Sequence, residues 1–401
     1  MYPPNQEARP SRLPSLTGMR FIAAAMVFLF HGATQFLFAH QETGSDFLFA
    51  VSNLGSVGVS FFFVLSGFVL AWSARPGDTR RAFWRRRFFK VFPNHLVMFV
   101  IAVVLILLAD LAFSPGKALL NLTLLHVWVP EHSFLESGNG VAWTLGVEAV
   151  FYLLFPVIFP LLGRIRPNRL WYAAGVTVAL VIAVPAISLA FLPDAPQWPW
   201  GPASWQQIWF VYVFPVARLL EFVLGIIMAR IVLSGRWIRL GLPSAVGLMA
   251  VGYLASLHLP THFLYDYAAM TVIPLALLVP AAAVADVEGR ATLLRGRTAR
   301  RLGEISFAFY LTHYLVMQYA HRSFGLSPDA FGQMAGPQWS SPVAISFLVG
   351  CFAVSIVTAW ALYTLVERPA MKRWSRGRKP APAPAETVPA EPVPAPATAG
   401  H

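Results

Sequence analysis

The sequence predicts an all-α, polytopic integral membrane protein of about ten transmembrane helices with both termini in the cytoplasm. Three observations carry that expectation: the composition, the recurrence of apolar runs and the placement of the cations. Of 401 residues, 57% are hydrophobic and 12% charged, where a soluble domain carries roughly 25% charge. Apolar runs recur from Leu16 to Tyr363, and no polar block between them is long enough to fold separately.

A membrane span needs roughly 20 predominantly apolar residues to cross about 30 Å of hydrocarbon. Turn and charge signals divide the chain into spans at Leu16–Phe38, Leu54–Trp72, Phe92–Ala112, Val141–Leu162 and Leu170–Leu192. The others are Phe210–Arg230, Leu240–Leu257, His262–Ala285, Leu302–His321 and Pro342–Tyr363. Each is expected to be helical, because lipid offers no partner to an unpaired backbone group. The first span is too long for a cleaved signal peptide, and no small-x-small site follows it before Gln41.

With the N-terminus inside, 27 of the 30 Lys and Arg residues fall in the cytoplasmic segments, against Lys117 and Arg322 outside and Arg218 within a span. That asymmetry is the positive-inside pattern and places both termini in the cytoplasm. It also explains the net charge of +12 without nucleic acid, since the cations sit in short loops between apolar spans rather than on one soluble face. The expected organisation is a cytoplasmic segment 1–15, a membrane domain 16–369, and a basic, then Pro/Ala-rich disordered tail 370–401. Two loops are expected to shape a substrate entrance on the outer side. They are Phe113–Gly140, with a surface or re-entrant helix around Ala118–Trp128, and the Pro/Trp-rich Pro193–Trp209. Cys351, the one cysteine, excludes an intrachain disulfide and reads as a small core residue.

Ionisable groups inside the spans carry the functional signal, since each costs at least about 2.5 kcal/mol near the bilayer centre and needs a partner, a wet cavity or a task. Arg20 and His31 lie eleven residues apart on the first span, which is about three turns and roughly 16 Å of rise. They share a face, Arg20 at the cytoplasmic mouth and His31 near the midplane. Glu148 enters from the outer end of the fourth span. His313 follows Tyr310 in the ninth, and Arg218 and Glu221 form an i, i+3 pair in the sixth. Each also has a bland reading: Arg20 as interfacial anchor, Arg218–Glu221 as structural ion pair, His313 as core histidine, Glu148 as brace. The basic run Arg80–Lys90 reads either as a topogenic signal or as a polyphosphate site.

Taken in order, these segments resemble the membrane-bound acyltransferase 3 family of O-acyltransferases. The resemblance covers Leu16 to Pro369. It rests on Leu16-Thr17-Gly18-Met19-Arg20 running to His31, Gly58 to Phe68, the basic stretch ending in Pro93, and Trp143-Thr144-Leu145-Gly146-Val147-Glu148 before Phe151-Tyr152. Further along come Arg218-Leu219-Leu220-Glu221-Phe222 with Gly225, Ile305-Ser306 leading to Tyr310-Leu311-Thr312-His313, and Tyr363 with Glu367-Arg368-Pro369. The chain departs from the family pattern at Lys90, where arginine is commoner, and at His95, where an aromatic is commoner.

The resemblance implies acyl transfer from an acyl-CoA, acetyl-CoA first among them, to a hydroxyl of a sugar, polysaccharide or macrolide-type metabolite. The co-substrate comes from the cytoplasm, and no cofactor is expected to be permanently bound, nor any metal. Arg20, Arg81, Arg86, Arg87 and Lys90 are the candidates for the CoA phosphates. His31 is the candidate general base, or else a transient acyl carrier. Glu148 would orient the imidazole or the acceptor hydroxyl, and His313 with Tyr310 would donate to the developing oxyanion. Arg218, Glu221, Trp143 and Ser66 are candidates for structure or substrate positioning. The implied partners are the bilayer, the acyl-CoA donor and the hydroxyl acceptor, in the inner (cytoplasmic) membrane. Oligomeric state is left open, and an extra hydrolase-like domain found in some members is not expected here. The competing reading is a transporter or flippase using the same buried charges as a proton relay. It lacks the repeated halves that would favour it.

Overall fold

A computed structural model describes residues 13–74, 77–199, 201–328 and 334–375. The segment up to Arg12 with Arg9, the loop cation Arg75, and the tail beyond Ser375 with Arg376, Arg378 and Lys379 lie outside the described residues.

The described chain is helical, apart from a two-residue antiparallel strand pair and two isolated bridges. The helices are α1 (Pro14–Ala33), α2 (Gln41–Val51), α3 (Leu54–Ser73), α4 (Arg80–Leu108), α5 (Pro115–Leu122), α6 (His132–Leu135), α7 (Trp143–Gly163) and α8 (Leu170–Phe191). They continue with α9 (Trp205–Ile208), α10 (Pro215–Leu233), α11 (Leu242–His258), α12 (Val272–Val287), α13 (Arg297–Ser323), α14 (Ser341–Leu362) and α15 (Arg368–Trp374). A helix stands at each of the ten expected spans. Among the described residues, seven helical segments are long and apolar enough to cross a membrane; α11 is shorter than these, and α10 and α13 are not among them. Both of the latter carry the polar residues of interest, which lowers their apolarity.

The largest departure from the expected boundaries is at α4. Its first turns include the basic run Arg80–Lys90, expected in a loop. Thr79 starts the helix, its hydroxyl accepting the Ala82 N–H at 3.3 Å, and the run continues directly into the apolar stretch. Pro93, Pro156, Pro160, Pro185 and Pro280 all lie inside helices, which neighbouring helices make tolerable in a bundle of this kind. Large apolar side chains face outward along the bundle, among them Leu108, Tyr172, Phe191 and Val357. Water would penalise that surface, and acyl chains do not.

Small residues set the closest helix contacts, as membrane helices require. The tightest crossing joins α3 to α10. A Cβ on Gly67 would stand 1.9 Å from the Phe222 carbonyl oxygen, and one on Gly225 2.0 Å from that of Val64. Another joins α13 to α1, where a Cβ on Gly303 would stand 1.9 Å from the Thr17 oxygen. One end of the bundle gathers the basic segments. There Arg230 donates to the carbonyls of Leu162, Gly163 and Ile165 at the end of α7. Nearby, Asp286 accepts both the Ser15 N–H at 2.8 Å and the Ser15 hydroxyl at 2.7 Å, closing the start of α1. On the flank of α4, the His95 Nε2–H donates to the carbonyls of Asn121 and Leu122, 3.2 Å each. This draws α5 and the following turn His126–Trp128 against the middle of α4 rather than leaving them on the surface.

Candidate active site

The α1–α13 contact brings together two histidines 282 residues apart. Gly303 lets the two backbones approach near the start of α13, and further along the same contact His31 and His313 meet at Nδ1···Nε2 2.9 Å. His313 is fully buried, with the Phe309 ring stacked on it at 5.8 Å and Phe28 at 6.1 Å. Its Nδ1 lies 3.1 Å from the Phe309 carbonyl, one turn back. A carbonyl only accepts, so the proton of neutral His313 is on Nδ1 and its Nε2 carries a lone pair. His31 therefore donates from Nδ1, which leaves His31 Nε2 as an unprotonated, unoccupied base. The Tyr314 ring, 5.0 Å away edge-on, and the Phe30 ring, 5.4 Å away, flank it.

Both nitrogens of His313 are engaged, so no N–H remains to meet an oxyanion. Tyr310, one turn earlier, does face open space. It lines a cavity of about 80 Å³ together with Arg20, Lys90, Thr144, Glu148 and Tyr152, between walls that include Phe62 and Phe63. Glu148 is held by the Tyr152 hydroxyl at 3.1 Å and not by His31. Ser66 sits beside that same hydroxyl, and Arg87 lies over the Tyr152 ring at 5.8 Å. The cavity thus joins one carboxylate to a cationic end, with Arg20 in no ion pair among the described residues. The His31–His313 pair stands outside its lining, behind Tyr310.

The remaining candidates divide. Lys90 lines the cavity but is ion-paired with Glu367, whose other oxygen accepts from Asn94 at 2.8 Å. Arg86 is paired with Asp78, and Arg81 is exposed on the first turn of α4. Arg218 and Glu221 form a fully buried pair at 3.0 Å, with Arg218 also donating to Ser60 at 3.0 Å and lying over Phe63 at 5.1 Å. They tie α10 to α3 and bound only a small separate void. Trp143 packs its ring on Tyr212 at 4.7 Å at the start of α7. No cluster of three or more His, Cys, Asp or Glu able to hold a metal occurs among the described residues.

Two residues that sequence reasoning left without a role prove central to this end of the bundle. Glu367 stands in the sequence only as part of Glu-Arg-Pro, and Asp286 falls one residue past the expected span His262–Ala285 and is not singled out there. Both are buried carboxylates near the cationic surface, a signal that composition alone does not separate from loop acids.

A family model described as an acyltransferase domain matches residues 13–364. The chain is 42% identical over 382 residues to Acyltransferase MdmB of Streptomyces mycarofaciens, spanning 94% of this chain and 96% of that one. It is 28% identical over 356 residues to the exopolysaccharide production protein ExoZ of Rhizobium meliloti, spanning 86% and 95%. Over 345 residues it is 26% identical to the putative peptidoglycan O-acetyltransferase YrhL of Bacillus subtilis, spanning 79% of this chain and 50% of that one. No solved structure matches. An ordered set of motifs, a multi-pass helical bundle and a family match across most of the chain coincide: this protein belongs to the acyltransferase 3 family and is a membrane O-acyltransferase.

Proposed function

We propose that the protein transfers an acyl group, acetyl or another short chain, from acyl-CoA to a hydroxyl of a sugar, polysaccharide or macrolide-type metabolite, with His31 as general base. The observation that carries this reading is the proton arrangement of the His31–His313–Phe309 chain, which leaves His31 Nε2 free. An imidazole has the intrinsic pKa to accept a hydroxyl proton near neutral pH. The acceptor oxygen attacks the thioester carbon as its proton passes to His31 Nε2; the C–S bond then breaks and CoA leaves as thiolate, which takes up a proton. His313 holds the His31 ring and stabilises the imidazolium by accepting the His31 Nδ1–H on its neutral Nε2.

The donor is read from charge. Arg20, Arg87 and Lys90 gather at the basic end of the bundle, and Arg20 is free to bind an anion, which suits the phosphates of CoA. Arg20 is about three turns, roughly 16 Å, from His31, so a donor anchored there needs an extended arm to deliver its thioester. Tyr310, which lines the cavity and whose ring lies 5.8 Å from that of His313, supplies the O–H for the oxyanion. In this reading ten helices span the cytoplasmic membrane, α10, α11 and α13 included, with both termini inside and the basic end facing the cytoplasm. The names of the relatives that involve exopolysaccharide and peptidoglycan support a glycan-type acceptor.

The test is turnover of labelled acetyl-CoA by the purified protein with candidate hydroxyl acceptors. General-base assistance contributes about 10²–10⁴-fold, so His31→Ala is expected to lower kcat by that factor with the protein still folded. Full activity in that variant would overturn the assignment.

A further inference from the structure

We infer that Glu367 is a positioning residue, holding the Lys90 ammonium in place at the cationic end of the cavity to receive the donor's phosphates. Glu367 lies 2% exposed where α14 ends. The last turn, Tyr363–Glu367, is π-helical, and such wide turns recur at functional sites because they rotate a side chain out of α-helical register. Here the carboxylate reaches α4 and takes Lys90 on one oxygen and Asn94 Nδ2, at 2.8 Å, on the other.

A lysine on four methylenes loses rotamer freedom whenever it must hold one position. Glu367 removes that cost before a ligand arrives, which is preorganisation. The ammonium has three N–H donors; the carboxylate engages one, and Lys90 still lines the cavity and lies 5.6 Å from the Phe307 ring. Asn94 fixes the carboxylate itself, because it is fully buried on α4 one turn after Lys90. The Glu-Arg-Pro motif thereby acquires a function that is not structural capping: it presents a cation contributed by another helix.

The inference rests on the donor reading above, and the experiment separates the two. Full-length protein in detergent is titrated with CoA, and steady-state rates are measured against acetyl-CoA. Glu367→Gln is expected to raise the CoA Kd and the acetyl-CoA KM about tenfold while kcat changes by less than threefold, because Lys90 is remote from His31. Glu367→Asp, which keeps the charge, is expected to recover most of that loss. Lys90→Met should show the same rise, and Lys90→Met/Glu367→Gln should be no worse than Lys90→Met. The double variant also supplies the comparison should Glu367→Gln alone fail to fold, since it removes both charges together. Wild-type protein that does not bind CoA overturns the donor reading. Wild-type protein that binds CoA while Glu367→Gln binds it equally well, or a double variant whose losses multiply, overturns the positioning role alone.

Discussion

At the scale of single residues, the pairing of two neutral histidines is what separates this site from a generic cluster of buried charge. The sequence placed His31 and His313 at similar depth, and that much was legible from helix rise. Their hydrogen bond was not, because it depends on the rotation of α13 about its axis, which the packing of α13 on α1 fixes. Glu148 was expected beside the imidazole or the acceptor; its actual partner is Tyr152, four residues along its own helix. If His313 serves to hold His31 in one tautomer, His313→Leu removes the hydrogen-bond acceptor at nearly the same volume. The expected outcome is a kcat lower by about tenfold or more with the acetyl-CoA KM little changed, together with a shifted pH–rate profile. Stopped assays across pH 5.5 to 8.5 check this, and an unchanged profile would exclude the tautomer role.

At the scale of helices, apolar length and turn signals found a helix at each expected span, since a run of roughly 20 apolar residues is also a helix-length run. The ends are less exact, with α1 closing at Ala33 rather than Phe38 and α12 opening at Val272 rather than His262. The same signals failed at α4, whose cationic first turns are helical, since lysine and arginine side chains reach polar surroundings from a helix as readily as from a loop. The crossing of α3 and α10 was visible only as isolated glycines. With no room for a Cβ at either position, Gly225→Leu or Gly67→Leu is expected to abolish folding, read as loss of the monodisperse peak in detergent, while Gly247→Leu, in open space on α11, leaves it intact. The turn His126–Trp128 after α5 makes a different demand. His126 is fully buried, and desolvation, with some help from nearby His95, pushes its imidazole down to about 4. A depressed histidine is neutral in the folded protein and takes up a proton more readily when unfolded. Its contribution is therefore present above pH 6.5 and lost as pH falls toward 4, up to roughly 3 kcal/mol. Thermal unfolding between pH 7 and 4 should show that decline, and His126→Asn should flatten it.

At the scale of the molecule, the proposed topology puts the basic end of the bundle in the cytoplasm, and that orientation can be tested directly. In a Cys351→Ala background, Ser114→Cys is expected to react with a membrane-impermeant thiol reagent on intact cells and Arg236→Cys only after permeabilisation; the reverse pattern would invert the topology and remove the donor reading with it. What the sequence could not convey is how distant segments are joined at the basic end, since the partners lie hundreds of residues apart. The clasp of Ser15 by Asp286 shows what this means for biogenesis. The opening turn of α1 gains this N–H acceptor only once residue 286 has been made and inserted. The helix that carries Arg20 and His31 is thus clasped late, and a chain arrested before α12 lacks the carboxylate that closes its opening turn.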